Sequence, residues 1–276
     1  MKIGIVAPAS RLEPAMAERV AALAGALYGA RAPELYFHPQ CFLSDGHFAG
    51  DDAARTRALV EIANDDSIDA VWFARGGYGS CRLLPDVLPR LTAKAREKVY
   101  LGYSDAGSLL AGLWGMGFPK IAHGPMPADI VRDGGEKAVA RALAFLLSGA
   151  PDSIEESATS APSMAFNLTI LSHLIGTPWQ PDVADNVLMV EEVSEHIYAI
   201  DRALFHVTSN AQIRKAAGLR LGRVSAVPPN EPEFGRNEEE VAQHWCRISG
   251  IPFLGRADIG HDADNKVVPF GPWPRA

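Results

Sequence analysis

The chain of 276 residues is long enough for one large or two modest domains with a buried core. Its hydrophobic fraction of 47% and charged fraction of 21% are typical of a globular protein, and its formal net charge of −7 argues against nucleic-acid or anionic-membrane binding. The three cysteines, Cys41, Cys81 and Cys246, suggest neither a disulfide framework nor a metal site. We therefore expect free thiols, no metal and no other cofactor.

The N-terminal residues and the free thiols favour the same compartment. The apolar run within Met1-Lys-Ile-Gly-Ile-Val-Ala-Pro8 spans about five residues, too short for the core of a signal peptide. No apolar stretch approaches the roughly 20 residues that a transmembrane helix needs. Unpaired cysteines suit a reducing environment. We expect a cytoplasmic protein.

The first half of the chain alternates short apolar strands with helices. Strands are predicted at residues 3–7, 34–37, 70–74, 99–102 and 121–123. Helices are predicted at residues 14–28, 52–64, 105–114 and 136–147. This rhythm is typical of an α/β fold with parallel strands and crossover helices. Ligands bind such sheets at the carboxyl ends of the strands, so the turns that follow the last three strands should share one edge.

Small, acidic and proline-bearing residues interrupt this rhythm at 149–163, which we interpret as a linker. Beyond it the pattern is less regular, with strands predicted near 186–190 and 220–227 and helices near 200–217 and 237–248. We therefore predict an N-terminal α/β domain over residues 1–148 and a smaller, mixed C-terminal domain over residues 164–276.

The fourth predicted strand runs directly into Ser104, and a helix is predicted from Asp105. A sharp turn there would expose the serine hydroxyl beside backbone N–H groups that can stabilise an oxyanion. The nearby glycines, Gly102 and Gly107, do not meet the strict G-x-S-x-G spacing, and a serine after a strand also serves as a simple helix cap. Ser104 is therefore a candidate nucleophile, provided that a general base and an orienting acid lie beside it.

Candidate partners lie in the second half of the chain. A predicted strand ends in Glu191 and Glu192, whose side chains should alternate between the two faces. At most one of them should therefore enter a given cleft, and the other is expected to be a solvated strand end. His261 lies in a glycine-flanked turn and could be either a base for the serine or an ordinary surface residue.

A glycine-rich turn, Arg75-Gly-Gly-Tyr-Gly79, follows the third predicted strand. Paired glycines let backbone N–H groups approach a ligand closely. The turn could bind a phosphate, supply an N–H to an oxyanion hole, or only connect two elements. No G-x-G-x-x-G or Walker pattern accompanies it, which weakens a nucleotide interpretation.

These pieces together resemble the murein tetrapeptide LD-carboxypeptidases, a serine peptidase family that also contains the microcin-immunity peptidases. The resemblance covers most of the chain. In the first half the shared motifs are Gly4-Ile-Val-Ala-Pro8, Gly46-His-Phe-Ala-Gly50, Ala74-Arg-Gly-Gly-Tyr-Gly79 with Arg82-Leu-Leu-Pro85, Gly102-Tyr-Ser-Asp105 and His123-Gly-Pro-Met126. In the second half they are Asn167-Leu-Thr with Leu174-Ile-Gly-Thr-Pro178, Val190-Glu-Glu with Ile200-Asp-Arg202, and Ile259-Gly-His261 with Asn265.

The resemblance implies a Ser–Glu–His triad, with Ser104 as the nucleophile, His261 as the general base and Glu191 orienting the imidazole. It implies an oxyanion hole formed by the backbone N–H groups of Gly77 and Asp105. It also implies a flavodoxin-like or amidotransferase-like α/β domain with a parallel sheet, followed by a smaller β-rich C-terminal domain, usually in a homodimer.

The implied reaction is removal of the terminal D-alanine from L-Ala-γ-D-Glu-diaminopimelate-D-Ala during cytoplasmic peptidoglycan recycling. Departures from the family pattern at Ala165-Phe166, at residues 106–110 and at Ala199 spare the triad but leave the substrate open. The alternative within the family is a microcin-immunity-type peptidase that cleaves a peptidyl-nucleotide or acyl-sulfamoyl amide. The alternative of another class is a ligand-binding module without turnover.

A carboxypeptidase must bind the terminal carboxylate of its substrate, which calls for a dedicated basic side chain in an acidic protein. Arg75 follows a strand at the expected edge, and Arg202 lies in the helix after the Glu191 strand. Either arginine could reach the cleft, and each could instead form an ion pair within its own domain. A cysteine nucleophile is disfavoured, because neither Cys41 nor Cys81 begins a helix after a strand.

Overall fold

The computed structural model describes residues 1–273 and has the predicted α/β fold. Strands β1 to β10 are Lys2–Val6, Glu34–Phe37, Ala70–Phe73, Val99–Gly102, Ile121–His123, Ser163–Asn167, Val187–Val193, Gly218–Ser225, Phe253–Arg256 and Val268–Pro269. Helices α1 to α8 are Pro14–Tyr28, Asp52–Asn64, Leu84–Val87, Gly107–Gly115, Gly135–Ser148, Leu168–Leu174, Ile197–Ser209 and Glu238–Ser249. None of the helices described for residues 1–273 has the length and apolar character needed to cross a bilayer.

The first sheet has six strands in the order β10-β5-β4-β3-β1-β2. Strands β1 to β5 are parallel, and β10 pairs antiparallel with β5 at one edge. Side chains of β3 alternate between two cores: Ala70 and Trp72 pack with α1 and α5, whereas Val71 and Phe73 pack with α2 and α4. Helices thus cover both faces, as a parallel sheet requires.

The predicted element bounds in this half agree closely with the structure. Strands β2, β4 and β5 and helices α1 and α2 begin and end at the predicted residues. Local signals explain the two helix starts. Pro14 occupies the first turn of α1, and the side chain of Asp51 caps α2 by accepting a hydrogen bond from Ala54 N at 2.6 Å.

The second sheet is parallel throughout, with the order β6-β7-β8-β9. Helices α6, α7 and α8 pack on one of its faces. The expected smaller, β-rich part therefore contains crossover helices as well, because parallel strands cannot be joined by tight hairpins. Strands β6, β9 and β10 and helices α3 and α6 have no counterpart among the predicted elements, and β6 begins at the last residue of the predicted linker.

Helix α7 ends earlier than predicted. The prediction extends the helix to residue 217, but it ends at Ser209. The side chain of Asn210 accepts hydrogen bonds from Gln212 N at 2.9 Å and Ile213 N at 3.2 Å. Such local side-chain bonds compete with the helical bonds that would continue the helix.

Residues 268–270 join the two sheets. Strand β10 pairs with β5 of the first sheet, and Val268 packs with Met189 and Ile259 on the face of the second sheet opposite its helices. The Phe270 ring lies between Phe166 and Trp114, with centroid distances of 5.2 and 6.2 Å. One apolar core therefore continues from the first sheet into the second.

We predict that Phe270→Ala lowers the free energy of unfolding by about 3–5 kcal/mol, because it leaves a cavity between the sheets. Urea denaturation followed by circular dichroism measures the change. Ile248→Ala is the control: Ile248 is 62% exposed, so its truncation should cost less than about 1 kcal/mol. Equal losses in the two variants would contradict this role of Phe270.

Candidate active site

Ser104 follows β4 after one residue and begins a short 3-10 turn, Ser104–Ala106, that leads into α4. Its φ is +58°, in the left-handed region that serine rarely occupies. Strained turns of this kind lift a side chain out of the backbone and are concentrated at functional sites. Ser104 is partly exposed, although Tyr103 and Asp105 on either side of it are buried. The turn therefore presents one hydroxyl at the carboxyl edge of the first sheet.

The glycine-rich turn at residues 75–79 lies against this hydroxyl. A Cβ atom at Gly76 would be 2.8 Å from Ser104 Oγ, and a Cβ atom at Gly77 would collide with Ser10 Oγ. Gly77 also has a φ of +113°, which favours glycine. Within residues 1–273 the Gly77 N–H donates no hydrogen bond. The turn therefore brings a free backbone donor close to Ser104.

A buried carboxylate–imidazole pair lies in the second half of the chain. His261 Nδ1 is 2.6 Å from Glu191 Oε2, and the two residues are 9% and 0% exposed. Burial raises the pKa of the Glu191 carboxyl, and the adjacent imidazole opposes this shift. A carboxylate at Nδ1 favours the tautomer that donates from Nδ1 and leaves Nε2 able to accept a proton.

The backbone around this pair is tightly constrained. Gly260 N donates to the buried side chain of Asn265, with a distance of 3.1 Å to Oδ1. A Cβ atom at Gly222 would be 2.8 Å from the carbonyl oxygen of Ile259 and 2.9 Å from Glu191 Cβ. The absence of a side chain at Gly222 therefore lets the histidine turn pack against the Glu191 strand.

Glu192 corrects an expectation from the sequence. One of the two neighbouring carboxylates was expected to be a solvated strand end, but Glu192 is only 2% exposed. It faces the start of α6, where it accepts hydrogen bonds from Asn167 Nδ2 at 2.7 Å, Thr169 N at 2.9 Å and Thr169 Oγ1 at 2.7 Å. A helix N-terminus favours a negative charge, so this carboxylate is satisfied inside the protein.

Tyr103 connects the serine turn to the histidine turn. Its ring centroid is 4.8 Å from that of His261, and its Oη donates to Asp129 Oδ1 at 2.8 Å. Arg132 Nε binds the same Asp129 oxygen at 2.7 Å, and Arg132 Nη1 donates to the backbone carbonyl of His261. Within residues 1–273 no hydrogen bond joins Ser104 to His261. The two halves of the site meet through Tyr103 and its partners.

These connecting residues are absent from the predicted site. Tyr103 belongs to the motif Gly102-Tyr-Ser-Asp105, so the motif itself could have indicated it. Asp129 and Arg132 lie beyond the motif that ends at Met126. Asp129 Oδ2 accepts a hydrogen bond from Met126 N at 2.8 Å. The proline and the acidic residue of Pro127-Ala-Asp129 are typical of a helix start, a local signal that could have indicated this contact.

The side chain of Asp105 binds the far end of the glycine-rich turn. Its Oδ2 accepts hydrogen bonds from Ser80 N at 2.8 Å and Ser80 Oγ at 2.5 Å, and its Oδ1 accepts one from Gly79 N at 3.3 Å. Burial raises the pKa of the Asp105 carboxyl, and these hydrogen bonds oppose the shift. Asp105, which follows Ser104 in the chain, thus holds the glycine-rich turn in place opposite Ser104.

The two arginines proposed from the sequence lie in different places. Arg75 is exposed, directly precedes the Gly76 that contacts Ser104, and donates to the backbone carbonyl of Arg11 at 3.2 Å. Arg202 lies over the Tyr198 ring at 5.6 Å and lines a cavity of about 410 Å³ between α6 and α7. Within residues 1–273 no contact joins Arg202 to Ser104 or His261.

His123 is a second histidine beside the site. It is 1% exposed, and its ring centroid lies 5.5 Å from that of Tyr103. Neither ring nitrogen has a hydrogen-bond partner within residues 1–273. Burial, with a smaller contribution from the nearby His261, lowers the pKa of His123 to about 3. Its imidazole is therefore neutral at physiological pH.

The sequence matches two models of one protein family. The model described as the LD-carboxypeptidase N-terminal domain matches residues 3–124, and the model of the C-terminal domain matches residues 161–274. A Synechocystis sp. protein that carries a carboxypeptidase name is 32% identical over 234 residues, 82% of this chain and 75% of its own length. The murein tetrapeptide carboxypeptidase of Pseudomonas aeruginosa is 26% identical over 241 residues, 82% of this chain and 78% of its own.

Solved structures share the fold. The muramoyltetrapeptide carboxypeptidase from Oxalobacter formigenes superposes with a TM-score of 0.78 at 24% identity, over 98% of this chain and 93% of its own. MccF in complex with glutamyl sulfamoyl guanosine also has a TM-score of 0.78, at 18% identity, over 98% of this chain and 91% of its own. At these identities the likeness concerns the architecture of both sheets.

We predict that His123→Leu flattens the pH dependence of stability between about pH 6.5 and pH 4. In this range the unfolded state protonates His123 and the folded state does not, so the free energy of unfolding falls as pH falls, by about 1.4 kcal/mol per pH unit for one proton. Urea denaturation at several pH values measures the slope. Ile248→Ala, which removes no titratable group and changes a largely exposed side chain, should keep the wild-type slope. An unchanged slope in His123→Leu would contradict the prediction.

Proposed function

We propose that this chain, which belongs to the LD-carboxypeptidase family, is a serine peptidase that removes the terminal D-alanine from murein tetrapeptide. The observation that carries the proposal is the buried Glu191–His261 pair behind the strained Ser104 turn. An imidazole held at Nδ1 by a carboxylate is suited to activate a serine hydroxyl. The name of the Pseudomonas aeruginosa relative supports the choice of substrate.

In the proposed first step, Ser104 Oγ attacks the carbonyl carbon of the L,D-peptide bond while His261 Nε2 takes the hydroxyl proton. Glu191 keeps the imidazole in the required tautomer and stabilises its protonated form. The tetrahedral intermediate then collapses, the C–N bond breaks, and His261 returns the proton to the amine of the departing D-alanine. An acyl ester remains on Ser104.

In the second step, His261 removes a proton from water, and the hydroxide attacks the acyl ester. The ester C–O bond breaks and the proton passes to Ser104 Oγ, which restores the enzyme. Both steps develop a negative charge on the same carbonyl oxygen. We propose that the backbone N–H groups of Gly77 and Asp105 stabilise this charge. Asp105 directly follows Ser104, Gly77 follows the Gly76 that lies against Ser104, and the Gly77 N–H has no acceptor within residues 1–273.

We propose Arg75 as the group that binds the terminal carboxylate of the substrate. It directly precedes Gly76, which contacts Ser104, and its only hydrogen bond within residues 1–273 is one long contact with a backbone carbonyl. Arg202 lines a separate cavity between two helices of the second sheet and remains the alternative. A free guanidinium can bind a carboxylate through two parallel hydrogen bonds.

We further propose that the protein acts in cytoplasmic peptidoglycan recycling as a homodimer, as the family resemblance implies. The three cysteines are free, two of them buried, which suits a reducing compartment. A microcin-immunity-type activity on an acyl-sulfamoyl amide would use the same three catalytic groups, and the likeness to MccF concerns the fold. Incubation with each substrate class, followed by mass spectrometry, distinguishes the two activities.

We predict that Ser104→Ala abolishes release of alanine from L-Ala-γ-D-Glu-diaminopimelate-D-Ala, with a loss in kcat on the order of 10⁴–10⁶. Mass spectrometry measures the loss of one alanine from the tetrapeptide. Ser108→Ala changes a buried serine one turn along and should retain activity and fold. Near-normal turnover by folded Ser104→Ala would reject the nucleophile, and binding without turnover by the wild type would favour a ligand-binding module.

We predict that amidation of the terminal D-alanine lowers kcat/KM by roughly 10- to 150-fold, because the substrate loses a charge-assisted contact. Arg75→Gln should remove most of the preference for the free acid, whereas Arg202→Gln should retain it. Steady-state kinetics on the acid and amide peptides gives both ratios. If the wild type cleaves both equally, the protein is an endopeptidase or amidase; if only Arg202→Gln loses the preference, the carboxylate site lies at Arg202.

A further inference from the structure

Arg55 in α2 is an arginine without any exposed surface. Its guanidinium forms an ion pair with Asp52 and donates from Nη1 to two backbone carbonyls, those of Pro8 and Gly79, the latter at 3.0 Å. The Phe48 ring covers it at 4.4 Å. Arginine is almost never fully buried unless it is paired, and Arg55 has its partners in the Asp52 carboxylate and the two carbonyls.

One of these carbonyls belongs to the glycine-rich turn opposite Ser104. Arg55 binds Gly79 on its carbonyl side, while the Asp105 carboxylate binds the N–H of Gly79 and the N–H of Ser80. A Cβ atom at Gly79 would lie 2.8 Å from Arg55 Nη1, so the turn must have glycine there to accept the guanidinium. A buried cation and a buried anion thus hold the same stretch of backbone from two sides.

We propose that Arg55 is a positioning residue for the oxyanion hole, which holds the Gly77 N–H in place through the Gly79 carbonyl. The inference rests on the proposed function of Ser104 and Gly77. Only Tyr78 lies between Gly77 and Gly79, so a shift of the Gly79 carbonyl displaces the Gly77 nitrogen. A displaced donor weakens stabilisation of the transition state more than binding of the substrate.

The alternative is that Arg55 only attaches α2 to the backbone at Pro8, which follows β1, while its pair with Asp52 lies within the helix. Arg82 offers a matched control. It also pairs with Asp52 and lies 5.6 Å from the Phe48 ring, but its side chain is exposed and makes no hydrogen bond to Gly79 within residues 1–273. Its backbone N–H donates to the Gly79 carbonyl at 3.2 Å, a bond that a side-chain substitution keeps. Loss of the Asp52 pair is therefore common to both variants, and loss of the Gly79 contact is specific to Arg55.

The first experiment compares Arg55→Met and Arg82→Met on murein tetrapeptide. We expect Arg55→Met to lower kcat by roughly 10- to 100-fold, with KM changed by less than about threefold. Arg82→Met should keep the wild-type kcat. Thermal unfolding reports whether each variant is folded. A folded Arg55→Met with wild-type kcat, or an equal loss of kcat in Arg82→Met, would overturn the proposal.

The second experiment does not depend on the peptide substrate. A fluorophosphonate reacts with an activated serine: the Ser104 Oγ–P bond forms, the P–F bond breaks, fluoride leaves and His261 takes the proton. The oxygen on phosphorus develops charge in the same hole, so Arg55→Met should be labelled roughly 10- to 100-fold more slowly than Arg82→Met by mass spectrometry. Equal labelling rates would overturn the proposal.

These two readouts separate the proposals. Labelling of Ser104 without tetrapeptide cleavage rejects the proposed substrate and leaves Arg55 to be judged by the labelling rates. If the wild type shows neither reaction, the nucleophile and the Arg55 role both fall. Should Arg55→Met unfold, Arg55→Lys decides, because one ammonium cannot replace both fork nitrogens. We expect lower kcat at similar KM, and a wild-type kcat in folded Arg55→Lys would overturn the proposal.

Discussion

The contact between Glu191 and His261 is the interaction on which the rest of the site depends. A carboxylate with no exposed surface is costly unless a partner offsets the loss of water, and His261 supplies that partner. The surrounding backbone is adapted to this contact. Gly222 leaves room for the histidine turn, and Asn265 holds the turn through Gly260. These contacts hold the buried Glu191 and His261 side chains against each other.

The histidine turn is also tied to the other half of the chain. Arg132 follows β5 and donates to the His261 carbonyl, while Asp129 accepts hydrogen bonds from both Arg132 and the Tyr103 hydroxyl. Tyr103 immediately precedes Ser104. The relative placement of the serine and the imidazole therefore depends on a buried polar network, in which each member needs the others to be satisfied.

Parallel strand topology explains why these groups meet at one edge. Ser104 and the turn at residues 75–79 follow the carboxyl ends of β4 and β3, and His123 is the last residue of the neighbouring strand β5. Glu191 lies near the carboxyl end of β7 in the second sheet. Strand β10 pairs with β5 and packs against the second sheet, so the two sheets approach each other near these ends.

The sequence by itself determined the elements of the first half and the main chemical groups. Strand–helix alternation, Pro14 and Asp51 are local signals, so α1 and α2 begin where they were predicted. Strand alternation left open which carboxylate contacts His261, and the family resemblance implied Glu191. The tertiary structure alone decided how that contact forms, why Glu192 is buried, and where β10 lies. Each of these depends on packing between residues distant in sequence: Glu191 and His261 are 70 positions apart, and Glu192 is satisfied by the start of α6. Periodicity describes the faces of one element and carries no information about which element covers them.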